Sequence, residues 1–225
     1  MPRIDAVIFD LDGTLIHSAP ELLRSANAYL ETLGRPPLDL PELRGFIGNG
    51  VPKLVSRLRA ARGMPQTSRP DVARFLEIYQ ADPVGQTTLF PGVAEALETL
   101  ARAGIPMGIC TNKPEAPTRV ILEHFGIAQH FASVVGGDTL PVFKPDPAPL
   151  RRGMEELHAR EILFVGDSDV DCATAQATGQ PFALCTEGYR KSPPEALPHL
   201  FAFSDYAAFA ASVLSARSQG MQPSR

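Results

Sequence analysis

Val7-Ile8-Phe9-Asp10-Leu11-Asp12-Gly13-Thr14-Leu15 is the stretch that decides the fold. The apolar run from Ala6 to Phe9 is short and continuous, the pattern of a strand covered on both faces of a sheet. Two aspartates follow it directly, two residues apart. A charge at the end of a buried strand is costly unless it is paired, and neighbouring carboxylates repel each other. A cation held between them relieves both costs, and Gly13 and Thr14 permit a tight turn toward a ligand. The stretch therefore predicts a metal-dependent site at the end of the first strand. Its plainer reading is a turn, because Asp and Gly also end many strands for that reason alone.

Similar apolar runs recur at Ile105–Cys110, Ser133–Val135, Ile162–Val165 and Pro181–Cys185, with a weaker one at Phe201–Phe203. Helical spacing fills the gaps: Val93, Ala96, Leu97 and Leu100, then Val120, Ile121 and Phe125, then Leu150, Met154 and Leu157. Strands alternating with helices predict an α/β fold, a doubly wound parallel sheet with a Rossmann-like core.

One segment breaks the alternation. Residues 17–85 contain no convincing strand but three amphipathic patterns. These are Leu22, Leu23, Ala26, Leu30 and Leu33; Val51, Leu54, Val55 and Leu58; and Val72, Phe75, Leu76 and Tyr79. Pro and Gly cluster at 34–41, 45–50 and 63–70. The prediction is a small helical cap inserted into the first crossover, with hinges at Ile16-His17-Ser18 and Asp82-Pro83-Val84-Gly85. Residues 1–16 and 86–215 then form the catalytic core, and the polar residues 216–225 form a disordered tail. The insertion springs from the predicted chemical turn, which places it to act as a lid rather than as passive packing.

The chain has 225 residues, 44% of them hydrophobic, which suits one α/β domain with a small insertion. Its net charge of −4 lacks the basic excess of a nucleic-acid binder. No apolar run is long enough to span a bilayer. Met1-Pro2-Arg3-Ile4-Asp5 leads straight into the first strand, with no room for a signal peptide. Cys110, Cys172 and Cys185 sit in or beside apolar stretches and read as free thiols of a reducing compartment, the cytoplasm. No Cys/His cluster offers a zinc site. An oxidoreductase on this type of sheet would need GxGxxG where Asp-x-Asp-Gly-Thr stands.

Ligands of a parallel sheet bind beyond the carboxyl ends of its strands. The residues there are Asp10 and Asp12; Thr111-Asn112-Lys113; Gly136-Gly137-Asp138 with Lys144-Pro145-Asp146-Pro147; and Gly166-Asp167-Ser168-Asp169-Val170-Asp171. Taken singly, each reads as a loop, a stiff turn or a helix cap. Taken together they form a coherent set. Asp10, Asp12, Asp167 and Asp171 offer oxygens for a hard cation, and magnesium suits so few carboxylates. Thr111 and Asn112 offer hydrogen-bond donors beside a helix start. Lys144 adds a fixed positive charge, and a phosphoryl group needs all three kinds of partner.

These four signatures resemble the haloacid dehalogenase superfamily of phosphohydrolases, and the likeness covers nearly the whole chain. Within that family it runs closest to the phosphoglycolate phosphatases, supported by Ile47-Gly48-Asn49-Gly50, Leu89-Phe90-Pro91-Gly92-Val93, Thr111-Asn112-Lys113-Pro114 and Gly188-Tyr189. The resemblance implies hydrolysis of a small phosphorylated metabolite, 2-phosphoglycolate first, with Mg2+ as cofactor. Asp10 is then the nucleophile that forms an aspartyl-phosphate, and Asp12 the general acid and base. Asp10, Asp167 and the backbone carbonyl of Asp12 bind the metal, and Asp171 orients its waters or Lys144. Thr111 and Asn112 hold the phosphoryl oxygens. A carboxylate on the substrate needs a donor from the cap; Asn49, Gly50 and Lys53 supply it, or else form an ordinary glycine-rich turn. His17 stands where many relatives have Asp, and is expected to be an exposed polar residue. Asp169, an additional acid, is expected to face solvent.

Two other readings remain at this stage. One keeps the chemistry but takes a sugar phosphate, a nucleotide or pyrophosphate, or makes the protein a mutase. The other is a phosphate sensor on a retained scaffold. A sensor would be expected to have lost Asp10, Asp12 or Lys144, and all three are present.

Overall fold

In the computed structural model, which describes residues 4–220, six strands form one parallel sheet. They are β1 (Ala6–Phe9), β4 (Met107–Cys110), β5 (Ser133–Val135), β6 (Ile162–Gly166), β7 (Phe182–Cys185) and β8 (Phe201–Phe203), in the order β5-β4-β1-β6-β7-β8. All six were legible as apolar runs. β1 pairs with β4 through Val7↔Met107 and with β6 through Val7↔Leu163. It is the central strand where the winding reverses, so the ends of β1, β4 and β6 open onto the same crevice.

Alternate residues of β1 supply two cores. Val7 and Phe9 pack with α5 (Val93–Arg102), α6 (Glu115–His124) and α9 (Tyr206–Gly220). Ala6 and Ile8 pack with α7 (Ala148–Glu156) and α8 (Asp169–Thr178). A strand covered on both faces has no polar side to expose, which is why it reads as an unbroken apolar run.

The cap consists of α1 (Ala19–Thr32), α2 (Leu40–Arg44), α3 (Val51–Ala61) and α4 (Arg69–Gln80). It has its own apolar cluster, centred on Tyr29, Leu30, Val55, Leu58, Phe75 and Tyr79. α2 spans the gap between two stretches, 34–41 and 45–50, that read from sequence as Pro/Gly clusters. Asp39 caps it by accepting from the Glu42 amide, and Pro41 sits in its first turn.

The structure changes three of the sequence expectations. Ile16-His17 is a short strand, β2 (Ile16–His17), and its antiparallel partner is β3 (Thr88–Leu89), not residues 82–85. Two residues give no periodicity to read, so this pair was invisible. Residues 216–220, expected in a disordered tail, continue α9; Ala216 is buried and Arg217 donates to the Ala103 carbonyl at 2.7 Å. The remaining residues of that expected tail, 221–225, lie outside the described residues. Val120 is exposed, and α6 buries Pro117, Ile121 and Leu122 instead. No helix among the described residues is long and apolar enough to cross a membrane.

Candidate active site

Asp10 continues β1, its amide donating to the Val165 carbonyl of β6 at 2.8 Å. The strand ladder thus runs into the residue whose carboxylate faces the crevice. Asp167 follows β6. Asp171 lies in the first turn of α8, where it forms a capping box with Ser168: Ser168 N donates to Asp171 Oδ2 at 3.1 Å and Asp171 N donates back to Ser168 Oγ at 3.3 Å, with the Ser168 hydroxyl also donating to Oδ2 at 2.6 Å. The helix-cap reading and the site reading are therefore both true of the same residues.

Lys144 comes from the loop after β5. Its Nζ is 2.9 Å from Asp10 Oδ1 and 2.6 Å from Asp171 Oδ1, with the side chain almost wholly buried. Burial works against its charge, but Asp10 and Asp171 outweigh that and hold it firmly protonated.

Oxygens of Asp10, Asp167 and Asp171 all lie within 4.8 Å of one another. One ammonium faces three buried carboxylates. Burial, with Asp171 and Asp12 adding to it, pushes the Asp10 carboxyl up to about 6 despite Lys144. Burial, then Asp171 and Asp10, lift Asp167 well above the usual carboxylate range. An all-oxygen set with excess negative charge fits a hard divalent cation such as magnesium. Asp167 is held by the Thr14 hydroxyl at 3.2 Å and by the Tyr189 amide. Gly13, at φ +88°, and Gly188 are both required here, because a Cβ on either would overlap the Asp167 carboxylate.

Asp12 does not join the carboxylate cluster. Its side chain pairs with Lys113, at 2.8 Å and 3.2 Å from Nζ to the two oxygens. Only its backbone carbonyl is left to meet the expectation of a metal role. Thr111 lines the crevice with its hydroxyl oxygen accepting from Lys113 N at 3.2 Å, which leaves the O–H free to donate.

Asn112 departs from expectation. Its carboxamide clamps the Lys144 backbone, accepting from Lys144 N at 2.9 Å and donating to Lys144 O at 2.9 Å. It also donates to the Gly48 carbonyl of the cap at 3.1 Å. The side chain is thus occupied in tethering Lys144, and the donor Asn112 has left for a phosphoryl oxygen is its backbone amide at the cavity wall.

A small cavity of about 50 Å³ lies between these groups and the cap. Gly50 lines it, with Gly48, Val51 and Leu54. Asn49 and Lys53 do not. The Asn49 side chain instead accepts at Oδ1 from Arg57 at 2.8 Å, and Lys53 is exposed. The inward stripe of α3 runs through Leu54, Val55 and Leu58, and Lys53 falls off it.

His17 and Asp169 are also corrected. His17 is half-buried, with Nδ1 3.0 Å from the Tyr189 hydroxyl; burial, then Arg44, lower its pKa. Asp169 anchors the loop after β7, accepting from Lys191 N at 3.0 Å and from the Ser192 hydroxyl.

The sequence places Lys113 at a strand end and Tyr189 in a stretch that supports the resemblance, but assigns neither a role of its own. Lys113 directly follows the Thr-Asn pair, and that adjacency to a strand end was its available signal. Tyr189 packs into the cap cluster, while its amide holds Asp167 and its hydroxyl accepts from Ala19 N at 3.0 Å. Nothing in its local sequence announces a contact 170 positions away.

The model of the haloacid dehalogenase-like hydrolases matches residues 7–185, a span that contains every strand-end group described above. The chain belongs to this family. A phosphoglycolate phosphatase from Cereibacter sphaeroides is 49% identical over 203 residues, covering 89% of this chain and 93% of the relative. One from Rhodobacter capsulatus is 43% identical over 206 residues, covering 90% and 94%. The crystal structure of a predicted phosphoglycolate phosphatase from Haemophilus somnus superposes with a TM-score of 0.87 at 30% identity, covering 94% of this chain and 99% of that one. With hydrolase relatives along nearly its whole length, the chain is an enzyme, a phosphoric monoester hydrolase of this family.

Proposed function

We propose that the protein hydrolyses 2-phosphoglycolate to glycolate and phosphate in a magnesium-dependent reaction through an aspartyl-phosphate on Asp10. The observation that carries this reading is the buried cluster of Asp10, Asp167 and Asp171 around Lys144, with the separately held Asp12 at its edge. The substrate comes from the likeness to the named relatives.

Asp10, even pushed up to about 6, is ionised at neutral pH and needs no activating base. Its oxygen attacks phosphorus, and the bond from phosphorus to the ester oxygen breaks. Lys144, tethered by Asn112, offsets the charge of the incoming phosphate. The Thr111 hydroxyl donates to a phosphoryl oxygen. Asp12 gives its proton to the departing glycolate oxygen, then takes one from the water that cleaves the aspartyl-phosphate. Asp10, Asp167 and the Asp12 carbonyl would hold magnesium, with Asp171 behind them; the ion would supply charge neutralisation for the phosphate.

On this reading residues 17–85 are the lid, residues 1–16 and 86–215 carry the chemistry, and the partner is a small phosphorylated metabolite. Burial pushes the Cys110 and Cys185 thiols up to about 12 and about 11 and raises Cys172, so all three resist oxidation, as suits the cytoplasm. The test is phosphate release from a panel of small phosphates, with magnesium and then with EDTA. The expected result is magnesium-dependent release with 2-phosphoglycolate well ahead. Another substrate in front would keep the mechanism and discard the substrate; no release from any would return weight to a mutase or a sensor.

A further inference from the structure

The two walls of the cavity offer an anion very different partners. The cap turns apolar side chains inward: Leu22, Ile47, Val51, Leu54 and the Tyr79 ring. Among the described residues that line the cavity, Lys113 carries the one cationic side chain. Its side chain is 3% exposed, its Nζ is bonded to both Asp12 oxygens, and the Tyr79 ring centroid lies 4.9 Å away. The other buried ammonium, Lys144, is already shared by Asp10 and Asp171 on the side where phosphorus must approach.

In 2-phosphoglycolate one carbon separates the ester oxygen from the carboxylate. The residue that protonates that oxygen and the residue that pairs with that carboxylate must therefore be neighbours. Asp12 is the residue assigned to the ester oxygen, and Lys113 is its bonded neighbour. We infer that Lys113 is the specificity-determining residue, its ammonium receiving the substrate's carboxylate while it stays within reach of Asp12. This inference rests on the 2-phosphoglycolate reading above and names the group that enforces it.

The chemistry supports the assignment. An ammonium carries three donors in flexible directions, so it can serve two carboxylates at once. The Tyr79 face covers it from the cap side, which excludes water and strengthens the pairing. A carboxylate brought into an apolar-roofed cavity without such a partner would be strongly disfavoured. The short tether also sets a length rule. A substrate with an extra methylene between ester oxygen and carboxylate cannot place both groups on the Asp12–Lys113 pair.

The experiment compares kcat/KM for 2-phosphoglycolate and for ethyl phosphate, which has a similar shape without the charge, in the magnesium-loaded wild type, Lys113→Gln and Lys113→Arg. Lys113→Gln should cut the preference for 2-phosphoglycolate by about 10- to 100-fold, mainly through KM, the worth of a hydrogen bond between charged groups. Lys113→Arg, which keeps the charge, should retain most of the preference. Equal losses on both substrates would show that Lys113 acts only on Asp12, and an unchanged preference would place the carboxylate elsewhere; either result overturns the inference while leaving the substrate reading intact. A wild type that does not distinguish the two substrates overturns that reading itself, and the inference with it. If Lys113→Gln does not fold, the length rule is tested on the wild type. 3-Phosphooxypropanoate should show little advantage over propyl phosphate, and an advantage as large as that of 2-phosphoglycolate over ethyl phosphate would refute Lys113.

Discussion

The floor and the roof of this cavity are built on opposite principles. The floor is a set of charges held at strand ends: Asp10 by the ladder to β6, Asp171 by a helix cap, and Lys144 by Asn112. The roof is apolar side chains on helices, with backbone at Gly48 and Gly50. Charges at fixed positions are what phosphoryl transfer requires, whatever the alcohol attached. A roof that offers shape instead of charge leaves selection to volume and to whatever charge the floor can extend toward it. In such a molecule, changes to the charges around the phosphoryl position should act on kcat, and changes to the roof or to Lys113, the charge the floor extends toward it, should act on KM.

The largest expected effect tests the floor. Asp10→Asn should lower turnover by on the order of 10⁴-fold or more, because a carboxamide is a poor nucleophile. The variant should also be at least as stable as the wild type, since it removes one of three crowded buried carboxylates. Phosphate release and a thermal melt check both. Substantial turnover in this variant would remove Asp10 from its role.

The next effect shows what the floor costs when no metal is bound. The folded protein holds Asp10 at about 6, above its ordinary 3.8. Between those values it binds more protons than the unfolded chain, so this group's effect on stability worsens as pH rises. In EDTA, the wild type should lose on the order of 1–3 kcal/mol relative to Asp10→Asn between about pH 4 and pH 7. Saturating magnesium should flatten the difference. Urea unfolding at several pH values measures it, and a difference that grew in favour of the wild type would contradict the assigned crowding.

The same contrast explains what could be read beforehand. The strands were legible because burial on both faces leaves an unbroken apolar run, and the charges stood out because they follow those runs. Asp10, Asp167, Asp171 and Lys144 were found on that basis. The roof gave three apolar stripes and hence helices, but an apolar stripe does not say which side chain meets a ligand. Lys53 stands with Asn49 and Gly50 at the entry to α3, and helical rotation carries it away from the cavity. Lys113 and Tyr189 escaped for a different reason. Each acts through a partner distant in sequence, Asp12 in one case and the Ala19 amide in the other. Such pairings exist only after the sheet has brought its strand ends together.

Tyr189 joins the two regions, and removing its hydroxyl probes the join. Ala19 N is buried and donates to that oxygen. Tyr189→Phe leaves the amide without its partner, at a cost of about 1–3 kcal/mol. The loss falls on the hinge below α1, so KM should rise by more than kcat falls. Denaturant unfolding and steady-state kinetics on one preparation test this. A variant with unchanged KM and reduced kcat would assign Tyr189 to the floor, through Asp167, rather than to the hinge.

The smallest expected effect is the sharpest test of the comparison. Lys53 is exposed on α3, while the cavity is lined by Val51 and Leu54 on either side of it in sequence. Lys53→Ala removes a solvated charge with no partner role in the cavity, so kcat and KM for 2-phosphoglycolate and for ethyl phosphate should all stay within about twofold, the range of ordinary surface substitutions. Lys113→Gln should change the ratio between those substrates and Lys53→Ala should not, although both replace one lysine near one cavity. If Lys53→Ala instead raised KM for 2-phosphoglycolate alone, recognition of the carboxylate would belong to the roof, and the division into a charged floor that selects and an apolar roof that shapes would be reversed.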